Sequence, residues 1–98
     1  MYRIVYEKQA ARDIKNLKAA GLTDKAKSLI EVIRENPFKR PPDYEPLVGN
    51  LKGYFSRRIN IQHRLVYQVY ADPITVDHIT YEGMVKIIRM RSHYDPPR

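Results

Sequence analysis

Between Pro37 and Asn50 the chain carries four prolines, Pro37, Pro41, Pro42 and Pro46, followed by Gly49. Proline has no N–H to donate and fixes its own φ, so this stretch reads as a loop that neither a helix nor a central strand can cross. It divides the chain into halves of different periodicity. Before it, apolar residues recur at helical spacing; after it, they alternate. A chain divided in this way has to pack a helical layer against a sheet. The loop is also long enough to suspect a functional role, and it contains Glu45 between Tyr44 and Pro46.

The first half opens on Tyr2-Arg3-Ile4-Val5-Tyr6, a short β-prone run that predicts a strand. From Lys8 to Ala20, the spacing of Ala10, Ile14 and Leu17 predicts a helix, which Gly21 can end in a left-handed conformation. Thr23 suits the cap of a second helix, Asp24 suits its first turn, and Ala26, Leu29, Ile30 and Ile33 form one apolar stripe. Pro37 stops that helix near Asn36.

In the second half, Tyr54 to Ile59 and Arg64 to Tyr70 predict two strands joined by a turn at Asn60 to His63, and Val85 to Arg91 predicts the last strand. Ala71 to Met84 carries turn signals at Asp72-Pro73 and Glu82-Gly83, and Ile74 to Tyr81 fits either a short extra strand or the tip of a long hairpin. The expected architecture is α+β in the order β-α-α-β-β-β. It forms one domain over residues 1–98, with a twisted antiparallel sheet, two helices packed on one face and a hairpin insert at 71–84. An antiparallel sheet can leave its other face uncovered, and the arginines of the strands are expected there.

The 98 residues have a formal net charge of +7, which favours polyanionic partners. A hydrophobic share of 43% with eight tyrosines and two phenylalanines argues against disorder. The absence of cysteine excludes disulfides and thiolate zinc sites and suits a reducing cytoplasm. No apolar run approaches the ~18 residues of a membrane helix, and Arg3, Glu7 and Lys8 interrupt any signal-peptide pattern; a cytoplasmic location is expected.

Cleavage of RNA without a metal needs a base for the ribose 2′-OH, cations for the charge on the phosphorane, and an acid for the departing 5′ oxygen. The sequence offers Glu45 as a carboxylate and Arg58 and Arg64 on neighbouring strands. Arg89, Arg91 and His93 alternate along the last strand and share a face if it is regular. Tyr94 can stack on a base and donate a hydroxyl. Plainer readings stand beside these: a solvated loop acid, edge-strand charges at Arg57 and Arg58 that discourage aggregation, and a cross-sheet ion pair at Arg64. His63, His78 and His93 lack metal-ligand spacing. Phosphate-cradling, dinucleotide-binding, nucleophile-elbow and RNA-recognition motifs are absent. Neither a metal nor a cofactor is expected.

Glu45-Pro46-Leu47, then Asn50-Leu51-Lys52-Gly53-Tyr54-Phe55-Ser56-Arg57-Arg58-Ile59, then His63-Arg64-Leu65-Val66-Tyr67, and finally Ser92-His93-Tyr94 occur in this order. Together they resemble the signature of the YoeB toxins, within the wider RelE group of toxin–antitoxin systems. The resemblance implies a RelE-like fold and a ribosome-dependent, metal-independent endoribonuclease that cuts mRNA in the ribosomal A site. It implies Glu45 as general base, Arg64 as the arginine that stabilises the phosphate, His93 as general acid and Tyr94 as an aromatic that places substrate. Arg57, Arg58, Arg89 and Arg91 are the expected RNA-binding cations. The implied partners are the ribosome and mRNA, an acidic, partly disordered antitoxin of the YefM/Phd-like kind, and a second copy of the toxin in a homodimer. The sequence departs from the compact members of the family in the longer segment Ala71 to Met84 and in the residues after Tyr94. The competing readings are a non-catalytic RNA- or ribosome-binding module of the same fold, and a basic protein-binding domain.

Overall fold

The computed structural model describes the backbone of residues 1–92 and the side chains of residues 1–91. The elements in chain order are β1 (Tyr2–Tyr6), α1 (Lys8–Ala19), α2 (Thr23–Glu35), β2 (Tyr44–Pro46), β3 (Tyr54–Arg58), β4 (His63–Tyr70), β5 (Ile74–Val76), β6 (Ile79–Tyr81) and β7 (Gly83–Ser92), with a 3₁₀ turn at Gly49–Leu51. Five strands form one sheet in the order β1-β7-β4-β3-β2, and β5 and β6 pair separately as a small hairpin.

The α+β class and the two-helix layer agree with the sequence reading, but the sheet is mixed. β1 runs parallel to β7, with Ile4 opposite Val85 and Tyr6 opposite Ile87. The other pairings are antiparallel. Two helices follow β1 before the chain reaches the sheet again, and a connection of that length can set two strands parallel where a tight hairpin cannot. The insert resolves into β5 and β6, with positive φ at Asp77 and His78, the backbone that a tight hairpin turn requires.

Both helices pack their apolar residues on one sheet face. Ala10, Leu17, Leu22, Ala26, Leu29, Ile30 and Ile33 meet Leu65, Tyr67, Val85, Ile87 and Met90 in one cluster. Gly21, at φ +70°, allows the sharp reversal between the helices, and Thr23 begins α2 as its first helical residue, without a side-chain capping bond. The predicted face of α1 is rotated: Asp13 is buried with Ala10 and Leu17, and Ile14 is exposed.

Asp13 is buried because β7 needs it. The register of β4 with β7 shifts between Val66, which pairs with Arg89, and Tyr67, which pairs with Ile87, so Ile88 is the extra residue of a bulge. Asp13 Oδ2 accepts the Met90 backbone N–H at 2.9 Å, just past that bulge, and the two carboxylate oxygens accept Arg89 Nε at 2.9 Å and Nη2 at 3.1 Å. A buried carboxylate with three donors replaces an apolar contact and ties α1 to one point of the ladder. Removing it strands a guanidinium and a backbone N–H. Asp13→Ala should lower unfolding free energy by about 3 kcal/mol. A urea melt should show this as a lower midpoint at unchanged slope; an unshifted midpoint would refute it.

Candidate functional site

The period-two alternation of β3 and β4 decides which arginines reach solvent on the sheet face away from the helices. Leu65 and Tyr67 point into the core, so Arg64 and Val66 point the other way. Residues directly opposite on neighbouring strands share a face. Arg58 is opposite Arg64, and Arg64 is opposite Arg91, so these arginines form a row across β3, β4 and β7. Ser56 is opposite Val66 on the same face.

Arg57 is opposite Leu65 and therefore faces the interior. It is fully buried. Its Nε donates to Tyr67 Oη at 3.1 Å, Nη1 to Pro42 O at 2.6 Å, and Nη2 to Pro37 O at 3.0 Å and Lys39 O at 2.9 Å. A guanidinium with four of its five N–H groups spent on internal acceptors has no reach to RNA. The expectation for Arg57 as an RNA contact is therefore corrected: it is the internal anchor of the proline-rich loop. Arg89 is only partly buried, and its Nε and Nη2 are bound side-on to Asp13. Nothing in a single sequence separates Arg57 from Arg58 except strand parity, and parity points inward or outward only once the core face is known.

The anchored loop sets the position of Glu45. Residues 44–46, read from the sequence as irregular, form the short edge strand β2, with Glu45 opposite Ser56 and Pro46 opposite Phe55. An edge strand tolerates proline because one row of its N–H groups has no ladder partner. Phe38 and Tyr44 each pack edge to face against Phe55 on the inner side and meet each other at a tilt, and the Arg40 guanidinium lies 4.0 Å above the Tyr44 ring. With Tyr44 turned inward, Glu45 projects to the arginine row. There it accepts a hydrogen bond from Arg64 Nη2, while Arg64 Nε donates to Ser56 Oγ at 2.7 Å. Pro42, Asp43, Tyr44, Glu45, Arg58 and Arg64 line an open cleft of about 400 Å³.

Of the sequence-predicted residues, the structure thus brings together Glu45, Arg58 and Arg64, with Arg91 beside Arg64. His93 and Tyr94 lie outside the described residues. Sequence reasoning missed Ser56, Asp13 and Tyr67. His63 opens β4 at the end of the β3–β4 turn, where Asn60 Oδ1 accepts its backbone N–H at 2.7 Å. Among the described residues no group of histidine, aspartate and glutamate side chains is arranged to hold a metal ion. No helix among the described residues is long and apolar enough to cross a membrane.

This geometry falls on a known family. The sequence profile of the YoeB-like toxins of bacterial type II toxin–antitoxin systems matches residues 6–94. The chain belongs to this family. A YoeB toxin of Streptomyces coelicolor is 42% identical over 60 residues, which are 61% of this chain and 71% of the relative. The structure of a YoeB–YefM complex from Staphylococcus aureus superposes with a TM-score of 0.70 at 32% identity, covering 96% of this chain and 99% of that one. A YoeB dimer from the same organism superposes with a TM-score of 0.68 at 33% identity, covering 95% and 98%. The chain is a YoeB-family toxin of the RelE-like fold.

The neighbouring side chains of Arg57 and Arg58 have opposite fates and should respond differently to substitution. Arg57→Lys cannot span the carbonyls of Pro37, Lys39 and Pro42 and should cost about 3 kcal/mol in denaturant melts, whereas Arg58→Gln should stay within about 0.5 kcal/mol of the parent. Equal losses would remove the distinction. Tyr67 donates its hydroxyl to Pro37 O at 2.8 Å, and burial raises its pKa above the ordinary 10.0 against the opposing pull of Arg57. Above pH 10 the unfolded chain therefore releases this proton before the folded one does, so the Tyr67 contribution is full below that pH and is lost as pH rises through the folded value. Ultraviolet titration should find one tyrosine ionising later than the rest, and Tyr67→Phe should abolish that late step.

Proposed function

We propose that this YoeB-family toxin is a ribosome-dependent, metal-independent endoribonuclease that cleaves mRNA in the A site. The observation that carries the reading is the pairing of Glu45 with Arg64 at an open cleft, beside Arg58 and Arg91. A carboxylate and a guanidinium in contact supply a proton acceptor and a cation for one phosphodiester.

In the proposed reaction the scissile phosphate binds Arg64 and competes with Glu45 for it. The released carboxylate takes the proton of the ribose 2′-OH. The 2′ oxygen attacks the adjacent phosphorus, negative charge builds on the equatorial oxygens against Arg64, and the P–O5′ bond breaks. His93 gives the 5′ oxygen its proton, and the product keeps a 2′,3′-cyclic phosphate. Tyr94 stacks on a base beside the cut. Arg58 and Arg91 bind the flanking backbone. The ribosome holds the mRNA, so the toxin needs little base readout of its own. The net charge of +7 supports salt-sensitive docking to ribosomal RNA.

We extend the partner reading on the same terms. An acidic, partly disordered antitoxin of the YefM/Phd-like kind and a toxin homodimer are supported by the S. aureus YoeB–YefM complex and YoeB dimer that this chain resembles. A cytoplasmic site of action follows from a ribosomal target.

Primer extension on mRNA held in purified ribosomes tests the reading. Cuts should fall inside the A-site codon, require ribosomes, and survive chelation by EDTA once ribosome integrity is restored with magnesium. Glu45→Gln should lower the cleavage rate by roughly 100-fold or more at unchanged thermal stability. Ribosome binding without cuts would favour the non-catalytic module, and an undiminished Glu45→Gln rate would exclude Glu45 as the base.

A further inference from the structure

Arg64 is held at two points, and only one of them is the carboxylate. Its Nε donates to Ser56 Oγ at 2.7 Å and its Nη2 to Glu45. Ser56 has no exposed surface and lies between Glu45 on β2 and Val66 on β4 in the ladder. A buried hydroxyl in the middle of a sheet is costly unless it is hydrogen-bonded, and an aliphatic residue would fill the same place without that cost. The Ser56 hydroxyl accepts its recorded bond from Arg64.

A guanidinium offers an oxyanion two edges, one formed by Nε and Nη2 and one by Nη1 and Nη2. Ser56 and Glu45 together occupy the first edge. Nη1 has no partner among the described residues. Arg58 and Arg91, opposite Arg64 on either side, repel it, so electrostatics from the row does not hold the long side chain in place. Glu45 does so only while it is ionised and unclaimed by a proton. A neutral hydroxyl holds Nε whatever the protonation state of Glu45.

We propose that Ser56 is a positioning residue: its buried hydroxyl fixes the rotation of the Arg64 guanidinium, so that the Nη1/Nη2 edge faces the cleft and meets the phosphate after Glu45 lets go. This rests on the nuclease reading above. Ser56 itself touches no reacting atom, and its effect passes through Arg64.

The first measurement is the ¹⁵N-resolved Nε–H signal of Arg64 in the full chain, with inorganic phosphate as the probe. In the parent toxin this proton should exchange slowly with solvent, because Ser56 Oγ accepts it. In Ser56→Ala it should exchange about tenfold faster or more, and the phosphate Kd should rise about threefold. The second is a cycle on ribosomes. Ser56→Ala should lower the cleavage rate roughly 10- to 100-fold at nearly constant ribosome affinity, and should cost nothing further in an Arg64→Ala background. If the alanine variant fails to fold, Ser56→Thr and Ser56→Val, equal in size and differing in the hydroxyl, carry the same comparison. An Nε–H exchange rate untouched by loss of the hydroxyl, or the same loss of rate with and without Arg64, would overturn the proposal and make Ser56 a packing residue. The NMR arm needs no catalysis, so a parent toxin that does not cleave would sink the nuclease reading alone, while phosphate binding and Nε exchange still decide for or against Ser56.

Discussion

The buried Arg57 guanidinium is the point on which the site depends. A full charge with no exposed surface and no carboxylate among its recorded partners would cost several kcal/mol if left uncompensated. The compensation comes from the carbonyls of Pro37, Lys39 and Pro42 and from the Tyr67 hydroxyl. Those carbonyls belong to the stretch Pro37 to Pro42, where Pro37, Pro41 and Pro42 carry a carbonyl but no N–H, so the loop offers acceptors without matching donors. The arginine and the loop solve each other's problem. The loop gains a fixed path across the end of the sheet, and the charge gains a solvation shell made of backbone dipoles.

That fixed path delivers Glu45. The loop enters the sheet as β2, three residues long, at the edge beyond β3. Tyr44 turns inward to the aromatic cluster with Phe38 and Phe55, which leaves Glu45 on the outer face by simple alternation. The same alternation on β3 sends Arg57 in and Arg58 out. Two adjacent arginines of identical chemistry thus divide into a structural anchor and a surface cation, and the site lies where the outward residues of β2, β3 and β4 converge.

The far side of the sheet is fixed by a second charge inside the fold. Asp13 on α1 holds Arg89 and the Met90 amide after the bulge at Ile88. The bulge changes which residues of β7 face the helices: Val85 and Ile87 before it, Met90 after it. Arg91 then falls beside Arg64 in the open row, while Arg89 is drawn to the helix. The resulting surface is a short stretch of positive charge with one carboxylate set into it. A polyanion can engage such a surface broadly, and a single phosphate can engage it at one point.

Much of this was legible in the amino-acid order. Helical spacing before Pro37 and alternation after Gly53 specify two helices and a sheet, because burial of apolar faces has only those two periods to work with. The run from Glu45 to Tyr67 marked the family through residues close in sequence. The parallel pairing of β1 with β7 was not legible, because strand partners remote in sequence are selected by the packing of the helices between them. Nor was the burial of Arg57, Asp13 and Ser56. Their hydrophilic side chains read as surface until specific distant partners, a proline carbonyl, an amide just past a bulge and a neighbouring arginine, are brought within hydrogen-bond reach. The sequence by itself determined the layers and the kinds of groups available for chemistry. The tertiary structure alone decided which charges are spent inside the fold and which remain for a ligand, because the fate of a charge depends on what surrounds it in space.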